Sequence, residues 1–155
     1  MEKLVIDSTA LIELPQLPKG DLYAPPAIFE EAVSLGPRLR SGQIQLKQPS
    51  ESGLRKVREI QKKTGDALSR ADRDALALAL DLNATLVSDD YGCQNAASFL
   101  GLEFLPLSKP GIKTRRIYRI KCGNCGNWLR GQTCPVCGQK GKKAVFREEA
   151  LTKPL

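Results

Sequence analysis

The sequence contains no histidine, and this absence excludes a large part of enzyme chemistry. Without an imidazole, the chain has no histidine general base and no histidine ligand for a metal ion. Any hydrolysis that it performs must therefore depend on carboxylates, on a metal ion, or on both.

Long apolar runs are missing as well. No run reaches the ~18 residues that a transmembrane helix needs, so we expect no membrane partner. An acidic residue interrupts the opening Met1–Asp7 stretch too early for a secretory signal, so we expect a cytoplasmic protein. The 155 residues, 41% hydrophobic and 26% charged, suit one ordinary globular domain or two small ones.

Four of the five cysteines form two CxxC pairs: Cys122, Cys125, Cys134 and Cys137. In a reducing compartment such pairs indicate a metal site before a disulfide. Four thiolates close a tetrahedral site, so we predict one structural Zn²⁺ per chain in a zinc ribbon. An iron–sulfur cluster or a rubredoxin-like iron is the alternative. The fifth, Cys93, is predicted to be a buried small hydrophobe or an inert thiol.

Charge is divided unevenly along the chain. Residues 1–108 carry 12 Lys and Arg against 15 Asp and Glu, a net of −3, whereas residues 109–155 carry 12 against 2, a net of +10. A segment this basic indicates a polyanion partner, RNA first. Trp128 and Tyr118 offer stacking faces for bases, although Trp128 could equally be the core aromatic of the ribbon. Basic residues along 52–64 form a solvated helix face or a second RNA contact.

Periodicity predicts strands that alternate with helices through residues 1–108. The order indicates an α/β fold with a doubly wound, mostly parallel sheet, whose ligand site lies at the carboxyl ends of the strands. We predict strands at 3–7, 22–24, 84–88 and 102–107. Helices are predicted after Pro25-Pro26, at 52–64, from a Ser69 cap to Asn83, and at 94–100, and residues 36–50 are predicted to be a loop with a short strand at Ile44 and Leu46.

The composition changes sharply after Pro110 and Gly111. We therefore divide the chain into a nuclease-like domain at 1–108, a basic linker at 109–117, a zinc ribbon at 118–148 and a tail at 149–155. Strands at 116–121 and 144–147 are expected to flank the cysteine pairs.

Four acids from separate segments could meet at the carboxyl edge of the sheet: Asp7, Glu31, Asp72 and Asp90. Clustered carboxylates repel one another, and Mg²⁺ or Mn²⁺ resolves the repulsion because hard cations prefer carboxylate oxygen. Such an ion can activate water against a phosphodiester. Each acid also has a local alternative: Asp72 as a helix-start charge stabilised by the dipole, Asp7 as a helix cap, Asp90 as a turn former, and Glu31 as a surface residue.

Three segments that carry these acids resemble the signature segments of PIN-domain ribonucleases: Val5–Ala10, Leu68–Asp72 and Val87–Asp90. The resemblance covers about residues 3–107 and implies cleavage of single-stranded RNA with Mg²⁺ or Mn²⁺. It assigns the metal-binding and catalytic acids to Asp7, Glu31, Asp72 and Asp90. Glu30 competes with Glu31, and Asp89 with Asp90. Ser88, where the family often has threonine, could orient a ligand or water.

A PIN-like domain followed by a four-cysteine ribbon resembles the Nob family of archaea and eukaryotes, over nearly the whole chain. The resemblance implies an archaeal-type endoribonuclease that matures the 3′ end of small-subunit ribosomal RNA and binds immature small ribosomal subunits. The main alternative is a non-catalytic RNA-binding ribosome-assembly factor. A toxin-type PIN nuclease leaves the ribbon unexplained, and a transcription-type ribbon protein leaves the acids unexplained.

Overall fold

In the computed structural model, residues 1–13, 17–35 and 43–152 are described. Residues 36–42 of the loop predicted at 36–50, and residues 153–155 of the predicted tail, lie outside these ranges. The elements follow in the order β1 Lys3–Ile6, α1 Ser8–Glu13, β2 Asp21–Ala24, α2 Pro26–Leu35, β3 Ile44–Leu46, α3 Glu51–Thr64, α4 Arg70–Leu82, β4 Thr85–Val87, α5 Tyr91–Phe99, β5 Phe104–Leu105, β6 Thr114–Cys122, β7 Trp128–Leu129 and β8 Gly141–Ala150.

The first five strands form one parallel sheet in the order β3-β2-β1-β4-β5. The order reverses direction at β1, so β1 and β4 lie side by side at the centre. Val5, Ile6, Leu86 and Val87 in these two strands are fully buried, as expected of strands covered on both faces. The predicted α/β fold with a mostly parallel sheet is confirmed.

Helix α4 lies at the centre of the packing and contacts β1, β4, α2, α3 and α5. Residues Ala75 to Ala79 are all buried, because the helix is covered on more than one side. A capping box of Ser69 and Asp72 begins the helix, and Asn83, in a left-handed conformation with φ 50°, ends it. The local sequence therefore fixes both where α4 begins and where it ends.

The last three strands form an antiparallel sheet in the order β7-β6-β8. Strand β6 begins at Thr114, inside the segment predicted to be a linker, and pairs with β8 from Thr114↔Ala150 to Cys122↔Gly141. Both strands are longer than the predicted 116–121 and 144–147. The first part of β6 was expected to be a linker. Instead, the strand packs against helices α3 and α5.

Side chains of α5 anchor this junction. The Asn95 Nδ2 donates to the Arg116 carbonyl at 2.9 Å, and the Arg116 N–H donates to Asn95 Oδ1 at 2.7 Å. Gly65 ends α3 with φ 76°, and a Cβ there would lie 2.7 Å from the Tyr118 carbonyl oxygen. A glycine is therefore required at this position both for its backbone conformation and for the close approach of β6.

Two boundaries in the first sheet differ from expectation. Helix α5 begins at Tyr91, rather than at Gln94, because the Asp90 side chain caps it. Strand β5 comprises Phe104 and Leu105 only, shorter than the predicted 102–107. Across the described residues, every helix is too short or too polar to cross a lipid bilayer.

Candidate functional site

Two of the predicted acids lie where adjacent strands end. Asp7 directly follows β1, and the Ser88-Asp89-Asp90 segment directly follows β4. The parallel register pairs Ile6 with Val87, and the Asp7 N–H donates to the Val87 carbonyl at 3.2 Å. The carboxyl edge of the sheet therefore brings Asp7 and the acidic segment after β4 together.

Asp7 is 2% exposed, and hydrogen bonds hold both of its carboxylate oxygens. Oδ1 accepts from the Ala10 N–H at 2.9 Å and from Thr9 Oγ1 at 2.8 Å, and Oδ2 accepts from Ser88 Oγ. Burial nevertheless raises the pKa of Asp7 above its ordinary value, and the nearby charge of Asp72 raises it further. These hydrogen bonds fix the orientation of the Asp7 carboxylate. Because the carboxylate is buried, a cation beside it would stabilise its ionised form.

The role of Thr9 was not predicted, and Ser88 acts on Asp7 directly. A threonine two residues after an aspartate commonly donates to it, so the Asp7-Ser8-Thr9 order was the available signal. Ser88 Oγ also accepts from the Asp90 N–H at 3.1 Å, and it therefore links the acids that follow β1 and β4.

Asp72 takes part in the capping box that begins α4, and Asp90 is the N-cap of α5. Asp72 thus lies at a helix start, as its local alternative had it, whereas Asp90 caps a helix where the alternative was a turn former. Asp72 Oδ2 accepts from the Ser69 N–H at 2.9 Å, and Asp90 Oδ1 accepts from the Cys93 N–H at 2.9 Å. Capping does not remove either acid from the site, since a carboxylate can accept several hydrogen bonds or bind a cation at the same time.

The Cys93 thiol lies in the first turn of α5, and the charges of three predicted acids act on it. Burial raises its pKa well above the ordinary value, followed by the negative charges of Asp72, Asp90 and Asp7. Cys93 is 1% exposed, so it is the buried small residue that was predicted. The negative charges of three of the predicted acids therefore all act on the same buried thiol.

Asp89 points away from this group. Its Oδ1 accepts from the Leu107 N–H at 2.7 Å, and its Oδ2 accepts from the Ser108 N–H at 3.0 Å. Burial opposes ionisation of Asp89, but the hydrogen bonds from Ser108 and the backbone outweigh it and lower the pKa. Asp89 thus holds the segment after β5, which favours Asp90 over Asp89 as a metal ligand.

Glu31 lies in the middle of α2, which packs against α1 and α4, and it is half-buried. Glu30 is exposed, and its charge raises the pKa of Asp74 in α4 after the larger effect of burial. The two neighbours thus occupy different environments, and the half-buried Glu31 is the better candidate for the site.

In the part of the chain that the structure describes, the predicted acids form no group of three or more whose ligand oxygens all lie within 4.8 Å of one another. Within residues 1–13, 17–35 and 43–152, the four clustered cysteines are the one group of three or more metal-binding side chains whose ligand atoms all lie within 4.8 Å. The oxygen donors of the acids fit a hard divalent cation, whereas the four sulfurs fit a soft or borderline one.

The cysteines are presented by two similar turns. Cys122 Sγ lies 3.3 Å from Cys137 Sγ, and Cys125 Sγ lies 3.5 Å from Cys134 Sγ. In each turn a glycine with φ above 70° donates its N–H to the first cysteine carbonyl, Gly126 at 3.1 Å and Gly138 at 2.9 Å. Four sulfurs held this closely could hold one metal ion.

Backbone N–H groups also favour the thiolate form at this cluster. Hydrogen bonds from the Cys125 and Asn124 backbone lower the pKa of Cys122 to about 6, and those from Cys137 and Val136 lower the pKa of Cys134. The pKa of Cys125 is raised to about 11, because its cysteine neighbours outweigh a hydrogen bond from the Asn127 backbone. A cation bound here would displace the remaining thiol protons.

One face of the antiparallel sheet combines aromatic and basic side chains. Trp128 is 42% exposed, and its ring meets Phe146 edge-on at 5.1 Å. The Arg119 guanidinium lies 4.4 Å from the Phe146 ring centre, and Lys121 Nζ lies 5.2 Å from that of Trp128. Trp128 is therefore a surface residue rather than the core aromatic of the ribbon. We call Arg119, Lys121, Trp128, Lys142 and Phe146 the aromatic–basic face.

A parallel α/β sheet with acids along its carboxyl edge is the architecture expected of a PIN nuclease domain. Residues 4–82 match the family model described as the PIN domain of ribonuclease, which places the chain among the PIN-domain ribonucleases. The four clustered cysteines lie outside the matched residues, in the segment that forms the antiparallel sheet.

Comparison with curated proteins shows which PIN-domain ribonucleases this chain is similar to. Endoribonuclease Nob1 of Methanocaldococcus jannaschii is 32% identical, with 99% of this chain and 83% of that protein aligned. Endoribonuclease Nob1 of Pyrococcus abyssi is 36% identical, with 96% and 97% aligned. A protein named ribonuclease VapC1, from Thermoplasma acidophilum, is 33% identical, with 97% and 82% aligned. The chain belongs to the Nob1 family of PIN-domain endoribonucleases.

Proposed function

We propose that this endoribonuclease cleaves single-stranded RNA with Mn²⁺ or Mg²⁺, and that it matures the 3′ end of small-subunit ribosomal RNA. Its partner would be the immature small ribosomal subunit, in the cytoplasm, where a reducing environment keeps the cysteines as thiolates. The observation that carries the proposal is that Asp7 and Asp90 follow adjacent parallel strands and that Ser88 is hydrogen-bonded to both.

Asp7, Glu31, Asp72 and Asp90 are the residues proposed to hold the catalytic cation. When bound, the cation supplies an activated water and offsets charge on the phosphodiester. Asp7 is the best oriented ligand, because Ala10, Thr9 and Ser88 together restrain both of its oxygens. Asp72 and Asp90 are held by the first turns of α4 and α5. Without the cation, this acidic edge repels the RNA phosphates.

Cys122, Cys125, Cys134 and Cys137 are proposed to hold one structural Zn²⁺. The pairing of a nuclease unit with a ribbon remains our proposal for the domain organisation, with one change of boundary. Because β6 begins at Thr114 and β8 ends at Ala150, the ribbon sheet extends into both the predicted linker and the predicted tail.

The test of the function is a cleavage assay with an RNA that spans the 3′ end of the small-subunit ribosomal RNA. The full chain is expected to cut this RNA at one position with Mn²⁺ and to leave it intact without a divalent cation. Binding without cleavage at every cation concentration would support the non-catalytic assembly factor instead.

We further propose that the aromatic–basic face supplies the main RNA affinity. Removing residues 109–155 is a poor test, because β6 covers part of α3 and α5 and buries Ile117. Exposed charges on the face can be removed without that damage. The triple variant Arg119→Gln, Lys121→Gln, Lys142→Gln serves this purpose.

That triple variant is expected to bind single-stranded RNA with a shallower salt dependence. Each lost phosphate contact changes the slope of log affinity against log salt by roughly 0.7, so three contacts change it by about 2. The measurement is RNA binding at several salt concentrations, with no added Mn²⁺ or Mg²⁺. A matched control removes three exposed charges from α3, as Arg55→Gln, Lys56→Gln, Lys62→Gln. A larger loss of RNA affinity in the control would indicate that α3, rather than the aromatic–basic face, is the main RNA-binding surface.

The choice between the two adjacent glutamates can be tested directly. Glu31→Gln is expected to lower the Mn²⁺-dependent cleavage rate by roughly 10²-fold or more, because a neutral amide is a weak cation ligand. Glu30→Gln, one position away in the same helix, is expected to retain nearly the parent rate. Both variants are compared over a Mn²⁺ titration, and the reverse order of effects would assign Glu30 to the site.

A further inference from the structure

A cleft lies between the start of α5 and strand β6, where the nuclease domain meets the ribbon. Its volume is about 390 Å³, and it is lined by the first turn of α5, by residues 110–114 and by part of β6. It is separate from the acids proposed to bind metal and from the aromatic–basic face. A volume of this size is sufficient for a small ligand such as a nucleotide.

The cleft opens beside the acidic edge. Tyr91 and Gly92, two of its lining residues, directly follow Asp90 at the start of α5. A Cβ built on Gly92 would lie 3.1 Å from Asp90 Oδ1, so this part of the cleft lining is close to that carboxylate. An RNA strand that crosses the acidic edge would therefore place a neighbouring nucleotide at the cleft.

The cleft walls combine aromatic and basic groups. Tyr91 is 51% exposed, Tyr118 contributes a half-buried ring from β6, and Lys113 provides an exposed ammonium. Unpaired bases stack on aromatic side chains, while the phosphates between them contact lysine and arginine. The lining is therefore suited to a nucleotide rather than to a purely apolar ligand.

The cleft also contains a buried acceptor. Asp66 is 7% exposed, and its Oδ2 accepts from Asn95 Nδ2 at 2.8 Å. A carboxylate has about four acceptor positions, so it can take a further donor from a ligand. The exocyclic amine of cytosine is a donor that aspartate accepts in base recognition, whereas uracil presents a carbonyl oxygen at the same position.

We propose that this cleft binds one unpaired nucleotide of the RNA substrate next to the cleavage site, and that it favours a base with an exocyclic amine. Tyr91 stacks on the base, Asp66 accepts from its amine, and Lys113 contacts a phosphate. The substrate class rests on the proposed function, but occupancy of the cleft does not require cleavage.

The test uses the full chain in a buffer without Mg²⁺ or Mn²⁺, titrated with short oligo(C) or oligo(U) strands. Backbone amide resonances of Tyr91, Gly92 and Gly111 report on the cleft. We expect oligo(C) to shift them, with roughly ten-fold weaker binding in Tyr91→Ala and parent-like binding in Tyr91→Phe, since one base-stacking contact has that size. Oligo(U) is expected to bind about five-fold more weakly than oligo(C), and Asp66→Asn to remove that difference.

Unshifted cleft amides with both strands would overturn the proposal, as would equal binding to Tyr91→Ala and the parent. Equal affinity for oligo(C) and oligo(U) in the parent would overturn the base preference. Because Tyr91 is exposed, its variants test the cleft even if Asp66→Asn does not fold. Shifted cleft amides in a chain that never cuts RNA would support the cleft and contradict the proposed function.

Discussion

Asp7→Asn is expected to lower Mn²⁺-dependent RNA cleavage by about 10³-fold, which corresponds to roughly 4 kcal/mol of lost transition-state stabilisation. The reason is that Asp7 is the most firmly oriented of the four acids, with donors on both oxygens. An amide in its place keeps one oxygen for Ala10 and Thr9 but removes the charge that binds a cation. The measurement is the single-turnover cleavage rate at saturating enzyme, over a range of Mn²⁺ concentrations.

Loss of folding would be the trivial explanation for a loss of cleavage in Asp7→Asn. The environment of Asp7 argues against that explanation. Burial raises the pKa of Asp7, so the ionised carboxylate is unfavourable where it lies. The neutral amide removes this cost, and Ser88 can reverse its hydroxyl to accept from it. Without divalent cations, Asp7→Asn should therefore unfold at the parent temperature or above. A clear fall in that temperature would make Asp7 a structural residue.

Asp89→Asn is the matched control, because Asp89 is also buried and lies on the neighbouring segment. Its carboxylate holds the backbone of Leu107 and Ser108, so this variant is expected to be less stable yet to retain cleavage in its folded fraction. A 10³-fold loss of cleavage in folded Asp89→Asn would instead transfer the ligand role from Asp90 to Asp89.

The local features of the site are those that the sequence alone predicts best. Ser69 and Asp72 have the spacing of a capping box, and the structure contains that box at the start of α4. Asp7 and Asp90 each follow a buried strand, and adjacent parallel strands place them at one edge. These inferences need only short-range spacing and the rule for parallel sheets.

Glu31 shows where such reasoning stops. A helix turns by about 100° per residue, so a one-residue error moves a side chain from one face to the next. Both Glu30 and Glu31 fit a helix that follows Pro25-Pro26, and only the packing of α2 separates a half-buried residue from an exposed one. That packing depends on α4, which is about forty residues further along the chain.

The start of β6 was wrong in the prediction for a related reason. Pro110 and Gly111 indicate a boundary, and nothing in residues 112–117 alone identifies a strand partner. The partner is Ala150 at the far end of the ribbon, and the anchor is the Asn95 amide on α5. Both are long-range contacts, so composition predicted a linker where the fold contains a strand that joins the two units.

The position of Trp128 follows from how a ribbon is stabilised. A three-stranded sheet of this size has little apolar core, so its aromatic residues need not be buried. The register pairs Trp128 with Lys121, and Lys121 also lies over its ring. If the metal provides most of the folding free energy, Trp128 is not needed in a core and can remain exposed for contact with a ligand.

Removal of one cysteine ligand tests whether the folding of the ribbon depends on bound metal. In comparable peptides, Zn²⁺ binding supplies roughly 10–16 kcal/mol of folding free energy. Cys134 is 1% exposed, and its Sγ lies 3.5 Å from Cys125 Sγ, so it is a buried member of the cluster. Elemental analysis of the purified parent chain should give about one zinc per chain, as a closed four-thiolate site requires.

Cys134→Ser is expected to lose that zinc and to unfold the cysteine turns, while the first sheet stays folded. The base of the ribbon should remain in part, because Ile117 is buried and Asn95 holds Arg116. Hydrogen exchange should therefore rise steeply over residues 123–140 and little in β1 or α4, and the fluorescence of the single Trp128 should change. Cys93→Ser is the matched control, since its thiol lies among the acids rather than in the ribbon. Full zinc content in Cys134→Ser, or lost zinc in Cys93→Ser, would contradict the assignment of the four clustered cysteines as the zinc ligands.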